Sequence, residues 1–467
     1  MTIQRQMHLL AFPTALGAHV AGWRMATPAG GQHSLKYYTH LAKVAEKGLF
    51  DAIFFADAQG YRTVVGRDAY SRIDAMRIDP LVLLGALAAR TEKLGLICTL
   101  STSYNEPYAV ARRMATLDHL SDGRAGWNVV TSTSQNEARN FGRDKHFGHE
   151  ERYARAGEFL DVVTGLWDSF EEGAVEVDRE AGRYFDPARL HGLDHEGAFF
   201  RVAGPLTCAR PPQGYPVIVQ AGSSDAGQAL AARTAEVVFT SHPNIPSARR
   251  FYDSLKAQVA EAGRSPDACK IMPAIQPLIA DSEEEARAIE AELESLVHPD
   301  LALALLQMQI GHTVDLSQCD PHGPLPDMPD SNAARSIQAR VREMSRDGAV
   351  SILQLARRVA AGRTSAALTG TPVQIADAME EWFEAGAGDG FVIVPPILPD
   401  QLEVFVARVV PELQRRGLFR TAYTGATLRD HLGLARPASR YDDPDAARAE
   451  PQIWQPDEGA PASAGRG

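Results

Sequence analysis

The sequence predicts an α/β fold, a parallel (β/α)8 or TIM barrel with insertions. Three observations support this prediction: short apolar runs alternate with helical patterns, eight such runs occur, and each run is apolar at consecutive positions. Strands that alternate with helices are typical of a parallel sheet, and continuous apolar strands are expected where helices cover one face and side chains fill the other. Eight parallel strands are the number that closes a barrel.

The eight runs and the helices between them follow one another along the chain. The predicted strands are residues 7–12, 51–57, 94–101, 124–131, 215–221, 236–241, 270–280 and 390–395. The predicted helices are residues 34–48, a helix that opens at Asp79-Pro80, then 107–120, 150–170, 224–234, 247–262, 283–297 and 371–385. A doubly wound open sheet is the competing fold, but the turn after Phe12 lacks the GxGxxG pattern that a dinucleotide pyrophosphate needs at a helix start.

Composition and charge exclude several classes of protein. The 467 residues are 45% hydrophobic, which excludes a disordered or fibrous chain. Asp and Glu outnumber Lys and Arg by 59 to 47, and the net charge of −12 argues against nucleic acid or an anionic membrane as a partner. The longest uncharged apolar run, residues 80–89, is about half of the ~20 residues that span a bilayer.

Cysteine usage and missing motifs narrow the chemistry. Four scattered cysteines and the absence of a secretory signal pattern predict a cytoplasmic protein with reduced thiols. No HExxH, GxSxG, P-loop or CxxC pattern occurs, so hydrolases, NTPases and zinc ribbons lose their usual support and no metal site is expected.

Two stretches interrupt the repeat, and the chain ends in a polar tail. We predict one barrel domain over residues 1–434, with a β-hairpin excursion at 171–205 that turns at Gly192 and Gly197. The insertion at residues 298–370, with helices at 300–310 and 333–360, is expected to form a lid or one wall of the substrate pocket. Residues 435–467 are rich in Pro, Ala and acids, which predicts a flexible tail.

Polar residues at the ends of predicted strands are the candidate site, because parallel barrels build their sites there. Asp57 ends the second strand, Ser101, Thr102 and Ser103 end the third, and Asn128 lies inside the fourth. Each has a structural alternative: Asp57 as a turn or capping acid, the hydroxyls as helix caps, and Asn128 as an amide satisfied by a polar core neighbour.

Two predicted helix starts add candidates. His149 and Tyr153 are four residues apart and share one helical face, although both are equally consistent with surface positions. Ser223 and Ser224 follow Gly222 directly after the fifth strand and open a helix. Backbone N–H groups and two hydroxyls at a helix start suit a phosphate, whereas a simple N-cap needs only one of these residues.

Several long stretches make the sequence similar to a known family. They are HLLAF with GAHVAGWR, FDAIFFAD, STSYNEPYAVARRMATLDHLSDGRAGWNVVTS, ERYARAGEFLDVVTGLWDS, and VIVQAGSSDAGQALAARTAE followed by VVFT, and they span most of residues 5–430. The chain resembles the bacterial-luciferase-like FMN-dependent monooxygenases, in the branch of nitrilotriacetate monooxygenase, EDTA monooxygenase, dibenzothiophene-sulfone monooxygenase and pristinamycin synthase.

The resemblance implies a two-component enzyme. Reduced FMN from a separate NAD(P)H:flavin reductase would react with O2 through a flavin hydroperoxide and oxidise a small organic substrate, by C–N or C–S bond cleavage or ring desaturation. The missing dinucleotide motif fits this division of labour. The resemblance also implies a homo-oligomer, a dimer or tetramer.

The resemblance assigns residues as well. The flavin contacts fall on Asp57, Thr102 or Ser103, Asn128, His149, Tyr153, Ser223 and Ser224, with the phosphate near Tyr153 and the two serines. His19, Trp23 and Arg24 are candidates for substrate contact. No catalytic residue is assigned, because the flavin carries the chemistry. The family's third-strand motif STTY is STSY here, which leaves open whether Thr102 or Ser103 makes the contact.

Two other functions remain as alternatives. One is a deazaflavin-dependent reductase or dehydrogenase on the same barrel, which would transfer hydride without O2. The other is a flavin-binding protein that has lost catalysis, since a fold does not prove an activity.

Overall fold

A computed structural model describes residues 5–27, 31–61, 67–74, 77–222, 224–329, 335–346, 350–362, 365–443 and 451. The strands are β1 (His8–Ala11), β2 (Ala52–Phe55), β3 (Gly95–Ser101), β4 (Ala125–Val130), β5 (Val175–Asp178), β6 (Arg183–Phe185), β7 (His195–Glu196), β8 (Arg201–Val202), β9 (Val217–Gln220), β10 (Val237–Thr240), β11 (Lys270–Ile279), β12 (Ala366–Gly370) and β13 (Gly390–Ile393).

The helices lie between the barrel strands and after them. They are α1 (Leu35–Lys47), α2 (Arg67–Tyr70), α3 (Pro80–Ala88), α4 (Pro107–Leu120), α5 (Gln135–Asn140), α6 (His149–Trp167), α7 (Asp225–Thr234), α8 (Ile245–Glu261), α9 (Glu283–Ser295), α10 (Pro299–Gln309), α11 (Arg335–Arg346), α12 (Ile352–Ala360), α13 (Pro372–Glu384), α14 (Asp400–Val404), α15 (Val410–Arg415) and α16 (Leu428–Leu432). In the part of the chain that the structure describes, no helix is both long and apolar enough to cross a membrane.

The predicted barrel is confirmed. Strands β1, β2, β3, β4, β9, β10, β11 and β13 pair in parallel in that order, and β13 pairs with β1 to close the ring. These eight strands correspond to the eight predicted runs. The barrel interior is a packed core of apolar side chains, as in other barrels of this size. Leu428 and Leu432 of α16 belong to that core, and Leu428 lies against Gly95 at the start of β3, so α16 closes the amino-terminal end.

Three local predictions need correction. A ninth parallel strand, β12, pairs with the second half of β11; its short sequence AALTG carries little strand signal. The helix predicted over residues 333–360 is two helices, because a new capping box at Ser351 starts α12. The excursion at 171–205 contains two hairpins, β5–β6 and β7–β8; Gly197 lies in the second turn, but the first turn is at residues 179–182 and not at Gly192.

The start of the predicted tail packs against the barrel. Tyr441 is buried, and its ring lies 3.9 Å from that of His191. The Arg440 backbone N–H donates to the buried Asp168 carboxylate at 3.1 Å. Residues 435–443 are therefore part of the packed structure, because Arg440 and Tyr441 contact buried residues of the barrel. Residues 444–450 and 452–467 lie outside the described part.

Candidate active site

Three phenylalanine rings form the apolar floor at the carboxyl end of the barrel. Phe12 follows β1, Phe54 lies in β2 and Phe239 lies in β10. The rings of Phe12 and Phe239 stack with centroids 5.4 Å apart, and Phe54 meets both edge-on at 4.8 and 6.0 Å. Such a floor suits a flat aromatic ligand above it.

Asn128 is a predicted site residue whose buried side chain has an unsatisfied hydrogen-bond acceptor. It lies beside Thr99 in the β3–β4 register and is 3% exposed. Its amide Nδ2 donates to Thr99 Oγ1 at 2.9 Å, and Thr99 Oγ1 donates to the Phe55 carbonyl at 2.8 Å. Asn128 Oδ1 has no hydrogen-bond partner among the described residues. A buried acceptor without a donor is costly, so this atom is suited to a ligand N–H or O–H.

Thr102 and Ser103 follow β3 and hydrogen-bond to the chain at the end of β4. Thr102 Oγ1 donates to the Val130 carbonyl at 3.2 Å, and Ser103 Oγ donates to the Thr131 carbonyl at 2.6 Å. Both hydroxyl protons are therefore used within the protein, and either oxygen can contact a ligand only as an acceptor.

Asp57 is a half-buried carboxyl just beyond β2. Burial raises its pKa to about 6, and the nearby Asp79 and Glu137 carboxylates raise it further, against hydrogen bonding from the Ala58 N–H and the positive charge of Arg77. A carboxyl with this pKa changes its charge near neutral pH, which is a common property of functional acids.

The predicted phosphate residues come together at the start of α7. Ser224 accepts from the Gly227 N–H at 3.3 Å as the N-cap, and the hydroxyls of Ser224 and Tyr153 lie 3.3 Å apart. The His149 ring is 5.0 Å from the Tyr153 ring. A Cβ on Gly227 would lie 3.0 Å from the Gly222 Cα and 3.1 Å from the Tyr153 hydroxyl, so a larger residue here would have to displace one of these neighbours by a few tenths of an ångström. Ser223 lies outside the described residues.

Tyr104 and His146 form a pair that the sequence did not predict. The Tyr104 hydroxyl is hydrogen-bonded to His146 Nδ1, and His146 Nε2 lies 3.2 Å from the Ser132 carbonyl. The Tyr104 ring also stacks on Phe141 at 4.8 Å. Burial lowers the pKa of His146 and keeps it neutral at pH 7. The available signal was a tyrosine directly after a barrel strand, but its partner is 42 residues away in the chain.

The substrate candidates line neighbouring cavities at the same end of the barrel. His19 is buried and lines a cavity of about 190 Å³ between the loop after β1, α10 and α12. Trp23 and Arg24 line a cavity of about 530 Å³, whose other walls come from the loop after β2, the α9–α10 junction and α12. Val20 and Trp23 line both of these cavities, so the two adjoin.

A family model described as luciferase-like monooxygenase matches residues 12–389. The chain belongs to this family. As a luciferase-like monooxygenase it is an enzyme on a closed parallel barrel, and the predicted family and fold are confirmed. It is 48% identical over 442 residues to N-acetyl-S-(2-succino)cysteine monooxygenase of Bacillus subtilis (strain 168), with 94% of this chain and 99% of the relative covered.

Two further relatives extend the comparison. Nitrilotriacetate monooxygenase component A of Aminobacter aminovorans is 45% identical over 455 residues, covering 95% of this chain and 100% of the relative. Among solved structures, a riboflavin lyase with modified FMN and riboflavin superposes with a TM-score of 0.82 at 35% identity, covering 94% of this chain and 98% of that one. This luciferase-like monooxygenase therefore shares its whole barrel with these proteins.

Proposed function

We propose that this protein is the oxygenase of a two-component system. It binds reduced FMN made by a separate NAD(P)H:flavin reductase and uses O2 to oxidise a small organic substrate, by C–N or C–S bond cleavage or ring desaturation. A relative named as one component and a neighbouring structure that holds modified FMN support this proposal. The two relatives are named for different substrates, so family membership alone leaves the substrate open.

The unpartnered Asn128 Oδ1 is the observation that carries the proposal. When bound, reduced FMN supplies the electrons that activate O2. A ring N–H of reduced flavin would give Oδ1 the donor it lacks, while Thr99 holds the amide in place through Nδ2. The Phe12 and Phe239 rings would support an aromatic ring on one side and exclude water from it.

The opposite end of the cofactor would lie at the start of α7. Ser224 and Tyr153 offer hydroxyls, and the N–H groups at a helix start favour an anion. Ser223 and His149 complete this proposed phosphate site. Thr102 or Ser103 would accept from the flavin ring, since both hydroxyl protons are already donated to β4.

Asp57 would place a titratable carboxyl at the mouth of the barrel. Its raised pKa of about 6 lets it accept a hydrogen bond when ionised and donate one when protonated. We assign it to positioning the flavin ring, as a charged acceptor near neutral pH.

The insertion at residues 298–370 would be the lid and one wall of the substrate pocket. Its helices α10 and α12 pack together around a hydrophobic cluster that includes Ala21 after β1, separate from the barrel core. Limited proteolysis should cut this segment in the free protein and cut it more slowly with flavin and substrate bound. We further propose a homo-oligomer, and a cytoplasmic location where NAD(P)H is available to the reductase.

The decisive experiment replaces Asn128. Asn128→Leu removes the unpartnered oxygen at similar volume, and Thr99 keeps its bond to the Phe55 carbonyl. We expect anaerobic titration to show reduced FMN binding at least about tenfold more weakly, with folding intact. Thr99→Ser is the matched control, because it keeps the bonds to Asn128 Nδ2 and to the Phe55 carbonyl and leaves Oδ1 in place, so its flavin affinity should be unchanged. Equal flavin affinity in Asn128→Leu and the native protein would remove the basis of the proposal.

A second experiment separates the alternatives. The protein with NADH and FMN should not consume O2, and adding an unrelated flavin reductase should start O2-dependent product formation. NADH oxidation by the protein alone contradicts a two-component enzyme. Preference for reduced deazaflavin supports the reductase alternative, and flavin binding without product from any tested substrate supports the non-catalytic one.

A further inference from the structure

The larger cavity has an unusual charge distribution. Among the residues that the structure describes, the cavity of about 530 Å³ is lined by three arginines, Arg24, Arg72 and Arg357, and by one carboxylate, Asp68. Its volume lies within the range of about 300–1,000 Å³ that small-molecule sites occupy. Its remaining walls include apolar side chains such as Leu296 and Leu301.

These arginines have no carboxylate partner among the residues that the structure describes. Arg24 Nη1 donates to the Leu296 carbonyl at 2.9 Å, which fixes its direction and neutralises no charge. Arg357 Nε is buried and has no hydrogen-bond partner within the described chain. The buried Arg210, by contrast, pairs with the Asp168 carboxylate at 3.0 Å. Three guanidinium groups that have no carboxylate partner in the described structure line one cavity, and this concentration of positive charge favours an anion.

We propose that this cavity binds an organic polycarboxylate, and that this is the substrate class of the enzyme. The second part rests on the proposed function. The three guanidinium groups come from three segments, the loop after β1, the loop after β2 and helix α12, so they can reach carboxylates at separate points of one molecule. Each guanidinium presents the planar fork that fits a carboxylate. The apolar wall suits the carbon skeleton, and the cavity is larger than a single inorganic anion needs.

The cavity adjoins a second cavity at the carboxyl end of the barrel through shared walls. Val20 and Trp23 line it together with the neighbouring cavity, which reaches residues 14–18 directly after β1. A polycarboxylate held by the arginines would thus extend its uncharged end toward the mouth of the barrel. This arrangement would separate the groups that select the substrate from the groups that hold the flavin.

Direct binding tests the proposal without any turnover. Propane-1,2,3-tricarboxylate is titrated into the flavin-free protein by calorimetry and by tryptophan fluorescence, since Trp23 lines the cavity and is 41% exposed. We expect saturable binding with a fluorescence change that Trp23→Phe abolishes. The uncharged trimethyl ester should not bind, and inorganic phosphate should bind more weakly. An ester or phosphate that binds as tightly as the tricarboxylate, or a tricarboxylate that does not bind, overturns the proposal.

Charge variants locate the site. Arg24→Gln and Arg72→Gln change exposed side chains, and each should weaken tricarboxylate binding several-fold, while Arg357→Gln should weaken it about tenfold or more. Asp68→Asn should tighten binding, because it removes the opposing charge. Arg113→Gln, on the exposed face of α4, is the matched control and should change nothing. If none of the four cavity substitutions changes the affinity for the tricarboxylate, the proposed site is refuted.

Reduced FMN binding to the same variants keeps the two proposals apart. The arginine variants should bind flavin normally, and Asn128→Leu should bind the tricarboxylate normally. If the native protein binds the tricarboxylate but not reduced FMN, the proposed function alone is contradicted. If it binds reduced FMN but not the tricarboxylate, the polycarboxylate site alone is contradicted.

Discussion

The two ends of strand β2 carry acids in opposite situations. Asp51, before the strand, is fully buried, accepts from the Leu9 N–H at 2.7 Å, and is paired with Arg420 and with His8 at 3.0 Å. Burial alone would raise its pKa, but the charge of Arg420, together with the contacts from His8 and the Leu9 N–H, outweighs burial and lowers the pKa to about 2. Asp57, after the strand, has no such pair among the described residues, and burial raises its pKa to about 6.

Two further acids at the amino end of the barrel are paired as Asp51 is. At the amino end, Glu236 pairs with Arg429 and accepts from the Ile218 N–H at 3.0 Å. Asp389 pairs with Lys256 and accepts from the Ile271 N–H at 2.9 Å. Each acid thus continues the hydrogen bonding of a neighbouring strand. At the carboxyl end, Asn128 Oδ1 is left without a partner in the described structure. Paired acids therefore stabilise the amino end, whereas the unpartnered oxygen of Asn128 at the carboxyl end is suited to a ligand.

The largest effect should come from the amino end. Asp51→Asn leaves Arg420 buried without its counter-charge, so the free energy of unfolding should fall by about 3–5 kcal/mol. Urea unfolding measures this loss. The folded fraction should still bind reduced FMN normally, because the residue is at the far end of the barrel. A loss below about 1 kcal/mol would show that the amino-end pairs do not stabilise the fold as argued.

The same substitution at the other end of β2, Asp57→Asn, should weaken flavin binding and leave stability intact. Burial disfavours the ionised form of the Asp57 carboxyl. Asp57→Asn removes that carboxyl, so the free energy of unfolding at pH 7 should be unchanged or slightly higher. Reduced FMN affinity should fall by about tenfold, as for the loss of one charge-assisted hydrogen bond. Anaerobic titration measures the affinity. If Asp57→Asn destabilised the protein as much as Asp51→Asn, the contrast between the two ends would be wrong.

The comparison also predicts two distinct pH dependences of stability. The folded pKa of Asp51, about 2, is below the unfolded value of about 3.9, so its contribution is present above pH ~4 and is lost as the pH falls toward 2. The folded pKa of Asp57, about 6, is above the unfolded value. Folded protein therefore holds a proton that unfolded chain releases, and stability falls as the pH rises from ~4 to 6.

Urea midpoints across this pH range check both signs. Relative to the native protein, Asp57→Asn should gain stability as the pH rises through ~4–6, by less than the full shift implies because the side chain is partly exposed. The difference in stability between Asp51→Asn and the native protein should shrink only below pH ~4. The reverse order of the two windows would contradict the assignment of the two environments.

The sequence predicted the barrel because its strands are buried on both faces. This burial makes each strand a continuous apolar run, and Asn128 stood out as an amide inside such a run. The small, mixed sequence of β12 carries no such signal. The contrast between Asp51 and Asp57 was also beyond the sequence, since both acids flank AIFFA alike. What separates them is Arg420, which is 369 positions away in the chain. Pairings of this kind, like that of Tyr104 with His146, arise only from the folded chain.

The weakest effect should come from Ser224, where a cap and a phosphate site make different demands. Ser224→Ala should lower the free energy of unfolding by about 1 kcal/mol, because α7 loses the hydrogen bond to the Gly227 N–H. That loss alone supports the simple N-cap. Ser224→Asp separates the two roles, since Asp caps helices as well as Ser does but adds a negative charge.

If FMN phosphate binds at the start of α7, Ser224→Asp should keep the native stability and weaken FMN several-fold, because like charges about 4 Å apart in water repel by about 1 kcal/mol. Riboflavin, which has no phosphate, should bind Ser224→Asp as it binds the native protein. The measured quantity is thus the ratio of the FMN and riboflavin affinities. A ratio that Ser224→Asp does not change would leave Ser224 as a helix cap, and the phosphate would have to bind elsewhere at the carboxyl end of the barrel.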